Sequence, residues 1–88
     1  MITRQLEVLN ELGFHARVAS RIVREMRRFE SSIILKKDGK GFDLKNVTGV
    51  ITSNTKRGDV VTIEIDGADE EVAAQGLELL FRNKFGEK

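Results

Sequence analysis

Apolar and polar residues change their spacing several times along this chain, and each change predicts an element. Ile2, Leu6 and Val8, with Gln5 and Glu7 between them, come close to strict alternation, which predicts a half-buried strand over 2–8. Asn10 to Gly13 reads as a loop. From Ala16 the period becomes helical: Ala19, Ile22, Val23 and Met26 fall at i, i+3, i+4 and i+7, one face of a helix that should end near Phe29. The arginines at 21, 24, 27 and 28 take its other side. Ile33-Ile34-Leu35, inside Ser32 to Lys37, predicts a second strand. Asp38-Gly39-Lys40-Gly41 is a turn signal and Phe42-Asp43-Leu44 a short third strand, so 32–44 forms a hairpin. Val47-Thr48-Gly49-Val50-Ile51-Thr52 is ambiguous. By β-propensity it is a strand; with Asn46 as cap it is a short helix. Lys56-Arg57-Gly58-Asp59 is a turn, and Val61, Ile63 and Ile65 alternate with Thr62 and Glu64 as a last strand. Asp66 to Asp69 leads into a final helix, with Asp69 as cap and Glu70 and Glu71 complementing its dipole. Ala73, Leu77, Leu80, Phe81 and Lys84 lie on or beside one face of it, with Lys84 reaching for solvent.

The order β-α-β-β-(α or β)-β-α predicts an α+β fold, an open-faced sandwich of mostly antiparallel strands with helices on one face. The expected core is Leu6, Val8, Ala19, Ile22, Val23, Met26, Ile33, Leu35, Val50, Val61, Ile63, Ala73, Leu77 and Leu80. No proline, low-complexity linker or repeat divides the 88 residues, so a single domain over 1–88 is expected.

Composition narrows the function classes. With no cysteine and one histidine, thiolate chemistry is excluded and a zinc site is not expected. No apolar run approaches the ~20 residues of a membrane span, and Met-Ile-Thr-Arg-Gln is no signal peptide, so a cytoplasmic chain without membrane insertion is expected. A net charge of +1 argues against bulk nucleic-acid binding. The charges are polarised, however. Arg17, Arg21, Arg24, Arg27 and Arg28 face a single Glu25, whereas Glu64, Asp66, Asp69, Glu70 and Glu71 crowd a later stretch. A basic first helix suits an acidic partner, or simply a solvated face.

The only histidine, His15, stands where a loop turns into that first helix. Unpaired N–H groups and the helix dipole make a helix start an anion site. Imidazole is largely neutral, and so nucleophilic, near neutral pH. Gly13 permits a close backbone approach, Ala16 leaves its own N–H accessible, and Arg17 offers a fork suited to phosphate oxygens. No triad, carboxylate dyad or phosphate loop of Walker type competes with it, and the plain alternative is an ordinary surface or partly buried histidine.

Leu12-Gly13-Phe14-His15-Ala16-Arg17-Val18-Ala19-Ser20 resembles the signature of the HPr family, the histidine phosphocarriers of the bacterial phosphoenolpyruvate-dependent phosphotransferase system. Lys45-Asn46-Val47-Thr48-Gly49-Val50, then Gly58-Asp59 and Gly67-Ala68-Asp69-Glu70-Glu71, extend the resemblance over essentially the whole chain. It implies a four-stranded antiparallel sheet with three helices on one face (βαββαβα), with 47–52 helical. It also implies a carrier rather than an enzyme, needing no cofactor. His15 would accept a phosphoryl group on Nδ1 from enzyme I and donate it to a IIA domain of a sugar or nitrogen branch. Arg17 and the N–H groups near Ala16 would hold the phosphoryl oxygens. Ser20, Arg24, Arg27, Val47, Thr48 and Ile51 would face partners, and a monomer is the default.

Three residues depart from the family pattern. Phe14 stands in place of leucine and Val18 in place of proline. Asn46 stands where many relatives have a regulatory serine, so the cap is kept and the phosphorylatable hydroxyl is not. An alternative is a regulatory binding protein on the same fold, whose phosphorylation state signals to a regulator. Retention of both His15 and Arg17 favours the carrier. An RNA-binding module is weaker still, since five Phe with no Tyr or Trp sit mostly at core or helix positions.

Overall fold

The computed structural model describes residues 1–87. Its elements are β1 (Ile2–Glu7), α1 (Ala16–Met26), β2 (Ser32–Lys37), β3 (Lys40–Asp43), α2 (Val47–Thr52), β4 (Val60–Asp66) and α3 (Glu70–Arg82), followed by a tight turn at Lys84–Gly86. The four strands form one antiparallel sheet in the order β1-β4-β2-β3. The three helices cover one side, the open-faced sandwich that the alternation predicted. The ambiguous stretch is a helix: Asn46 accepts a hydrogen bond from the Gly49 N–H at 3.3 Å, as an N-cap should.

Register follows from burial. Ile33 lies opposite Ile65, and Leu35 opposite both Ile63 and Phe42, so one face of β2, β3 and β4 supplies a continuous apolar floor. Val8, Ala19, Ile22, Val23, Met26, Val50, Ala73 and Leu77 close over it. Each large side chain buried there contributes about 1.5–3 kcal/mol. The β2–β3 connection is a two-residue loop with φ of 52° at Asp38 and 77° at Gly39, the left-handed pair that matches strand twist.

Several boundaries and roles differ from the expectations. β1 ends at Glu7, α1 at Met26 rather than Phe29, and β3 covers 40–43, leaving Leu44 buried just beyond it. Leu6 is only half-buried, because β1 is an edge strand. Phe14, Val18, Leu44, Ile65, Ala74, Phe81 and Phe85 join the core instead. Lys84 is exposed, as expected, but lies past the end of α3 in a left-handed conformation.

Asp69 does not cap α3 with its side chain. Its carboxylate instead accepts from the N–H groups of Glu30 at 2.8 Å and Ser31 at 2.9 Å, and from the Ser31 hydroxyl. Three donors on the α1–β2 connection engage it in place of its own helix. Glu70 reaches back to the Gly67 N–H at 3.1 Å, supplying the acceptor at that end.

Candidate functional site

The site loop is seated before the helix begins. The Val8 N–H donates to Asp59 and the Gly58 N–H to Val8, which ties the end of β1 to the turn before β4. Asn10 is fully buried and its Nδ2 donates to the Gly13 carbonyl at 2.8 Å, while Phe14 N–H donates to the Thr55 carbonyl at 3.0 Å. Gly13 takes φ +61°, and a Cβ there would come within 2.6 Å of the Thr55 oxygen. Only glycine lets the loop press this closely.

His15 then occupies the N-cap position with extended backbone (φ −77°, ψ 177°), and its carbonyl receives the Ala19 N–H at 2.8 Å. Its side chain makes no capping bond. The first turn of α1 contains no acidic residue, so the helix's positive end is not neutralised from within. Ala16 and Arg17 are both exposed at that end. The Arg17 side chain is 81% exposed and the His15 side chain 30%.

One neighbour lies far away in sequence. The Glu87 carboxylate lies between the two, with Oε1 3.4 Å from His15 Nε2 and Oε2 3.7 Å from Arg17 Nη1. Nε2 is buried and makes no aligned hydrogen bond, so the carboxylate approaches it without a formed bond. Glu11 and Leu12, the latter 70% exposed, line a shallow depression together with Arg17, Gly86 and Glu87. Glu87 has no local signal in the sequence, since it acquires its place only through the fold.

The expected partner residues lie on two adjacent elements. Ser20 and Arg24 are exposed on α1, Arg27 is exposed just past its end, and Thr48 is exposed on α2. Ile51 is 45% exposed, whereas Val47 is half-buried against the core. Arg27 Nε donates to the Lys45 carbonyl at 3.0 Å, and Lys45 Nζ donates back to the Phe29 carbonyl at 2.6 Å, pinning the α2 approach to the end of α1. Asn46 is exposed but engaged as the α2 cap. Among the described residues there is no cluster of His, Cys, Asp or Glu able to hold a metal, and no helix long and apolar enough to cross a membrane.

A histidine at an acid-free helix start, on an open-faced antiparallel sandwich, is the arrangement of a small histidine phosphocarrier. A family model described as the PTS HPr component phosphorylation site matches residues 2–83. The phosphocarrier protein HPr of Xylella fastidiosa is 38% identical over 87 residues, covering 99% of this chain and 98% of that protein. A crystal structure of HPr-C-His from Thermoanaerobacter tengcongensis superposes with a TM-score of 0.94 at 35% identity, covering 100% of this chain and 99% of that one. A crystal structure of an HPr dimer from the same organism gives 0.78 at 36% identity, covering 99% and 100%. The chain belongs to the HPr family of the phosphotransferase system, whose members are phosphoryl carriers and not enzymes.

Proposed function

We propose that His15 is the phosphoryl-carrying residue, loaded by the phosphohistidine of enzyme I and discharged to a histidine on a IIA domain of a sugar or nitrogen branch. The observation that carries this reading is the division of labour at position 15. The backbone of His15 starts α1 while its imidazole is left out of the cap, beside unpaired N–H groups and an exposed guanidinium whose near neighbour is Glu87. Nδ1 is the attacking nitrogen in this reading, and among the described residues nothing pairs with it. The incoming phosphoryl oxygens are met by the helix end near Ala16 and by Arg17, without a metal on this protein.

Exposed Ser20, Arg24, Thr48 and Ile51, with Arg27 and Val47 at their margin, form the proposed docking face. Arginines beside apolar residues suit acidic partners that must bind and leave quickly. In this reading the chain works in the cytoplasm as a monomer, with donor and acceptor reaching the same histidine in turn. Nucleic acid has no role.

Incubation with enzyme I, phosphoenolpyruvate and magnesium should place an acid-labile phosphoryl group on the wild-type chain and none on His15→Ala. Equal labelling of the two, or no labelling of wild type, would refute the assignment.

A further inference from the structure

The residues after α3 bring a carboxylate to the site by a path that the fold holds in place. Lys84, Phe85 and Gly86 have φ of 55°, 56° and 77°, so three successive residues take the left-handed conformation and curl the chain back. Phe85 holds this curl. It is 2% exposed, with its ring edge-on to Phe14 at 5.5 Å and to Phe81 at 4.9 Å. Phe14 directly precedes His15, so one aromatic cluster anchors both the site loop and the tail. A Cβ on Gly86 would lie 2.7 Å from Nη1 of Arg21, the far end of a side chain that reaches over from α1. The outcome is a Glu87 side chain only 21% exposed, with one oxygen toward His15 Nε2 and the other toward Arg17.

We propose that Glu87 is a positioning residue for His15. This rests on the reading of His15 as the phosphoryl carrier. The buried Nε2 has no aligned partner in the unphosphorylated chain, and the carboxylate oxygen 3.4 Å away is the group able to supply one. Hydrogen bonds of this kind are commonly long before the reacting complex forms and tighten within it. Accepting from Nε2–H fixes the tautomer in which Nδ1 carries the lone pair. In transfer, that lone pair forms the new N–P bond. The donor's N–P bond breaks, and its electron pair returns to the donor imidazole. The Nε2 proton stays on His15, so the ring gains a positive charge facing Glu87. No proton has to leave during the step, and discharge reverses it. The second carboxylate oxygen keeps Arg17 beside the ring, while an 81% exposed guanidinium remains able to turn toward the phosphoryl oxygens.

The test uses the ¹⁵N-labelled full chain, its Glu87→Ala and Glu87→Gln variants, and phosphorylated enzyme I as donor. At a pH where the ring is neutral, wild type should show nitrogen shifts of a single Nε2–H tautomer. Glu87→Ala should show a tautomer mixture, and Glu87→Gln, which keeps an acceptor, should retain the single form. The initial rate of phosphoryl acceptance should fall about fivefold in Glu87→Ala at unchanged Tm, the scale of one half-exposed ion pair. An unchanged tautomer and rate in Glu87→Ala would overturn the proposal. So would faster acceptance, which would mark Glu87 as a competitor for Arg17. The tautomer is read before any transfer, so it judges the Glu87 contact even if wild type accepts no phosphoryl group and the carrier reading fails.

Discussion

His15 starts a helix with its backbone and contributes nothing to that start with its side chain. An N-cap is ordinarily a residue whose side chain satisfies a backbone N–H, and omitting that bond leaves donors free for an external anion. Arg17 adds charge without structural duty, since its side chain is 81% exposed and touches only Glu87 across 3.7 Å. Arg17→Ala should therefore lower kcat/KM for phosphoryl acceptance by about ten- to a hundredfold while leaving the thermal midpoint unchanged. Transfer kinetics and a melting curve on the same preparation check both halves. An unaltered rate would remove Arg17 from the pocket. Val18, where the family pattern has proline, is 1% exposed and packs into the core. The first N–H bonded within the helix is that of Ala19, so proline's missing donor at 18 would deprive α1 of no internal bond.

At the scale of elements, α2 is a six-residue helix too short to stand without help at both ends. Asn46 holds its start. At its end Lys37 Nζ donates to the carbonyls of Ser53 at 3.0 Å and Asn54 at 2.9 Å, while Asn54 itself turns left-handed at φ 51°. Asn46→Ala should cost about 1 kcal/mol of stability, whereas Asn46→Ser should stay within about 0.5 kcal/mol because serine caps comparably. Urea unfolding of the three chains measures this. Equal stability of Asn46→Ala and wild type would mean that Lys37 and the packing of Val50 maintain the helix without the cap. The cap also shows that asparagine starts α2 without a hydroxyl at this position.

At the scale of the molecule, Asp69 joins segments 38 and 39 residues apart in the chain. Gly67 lies beside it, so close to Ser31 that a Cβ would fall 2.6 Å from the Ser31 Cα. The Ser31 hydroxyl foremost, then the Glu30 and Ser31 N–H groups, hold the Asp69 carboxyl below its ordinary value. A carboxylate whose folded value is depressed contributes stability above its unfolded value, near about 4, and loses that contribution as pH falls through the folded value. Asp69→Asn should therefore melt several degrees lower at neutral pH, with the difference from wild type shrinking below pH about 4. Melting curves from pH 7 to 2 test this. A gap that stayed constant into acid would show that the carboxylate's charge is not what stabilises the junction.

What the sequence by itself determined is whatever depends on near neighbours. Alternation in Val61-Thr62-Ile63-Glu64-Ile65, the helical stripe from Ala19 to Met26, the Asp38-Gly39 turn and the cap at Asn46 each have their cause within a few residues. His15 and Arg17, two positions apart at a helix start, were legible for the same reason. Tertiary structure decided the rest. Asp69 looked like a cap until Glu30 and Ser31 offered three donors from another connection, a competition that local propensity cannot weigh. Phe85 carries no local signal in the sequence, and its contact with Phe14 and Phe81 delivers Glu87 to His15. The interaction of a carboxylate with an imidazole 72 positions away depends on distance in space, which arises only when one core holds both ends of the chain.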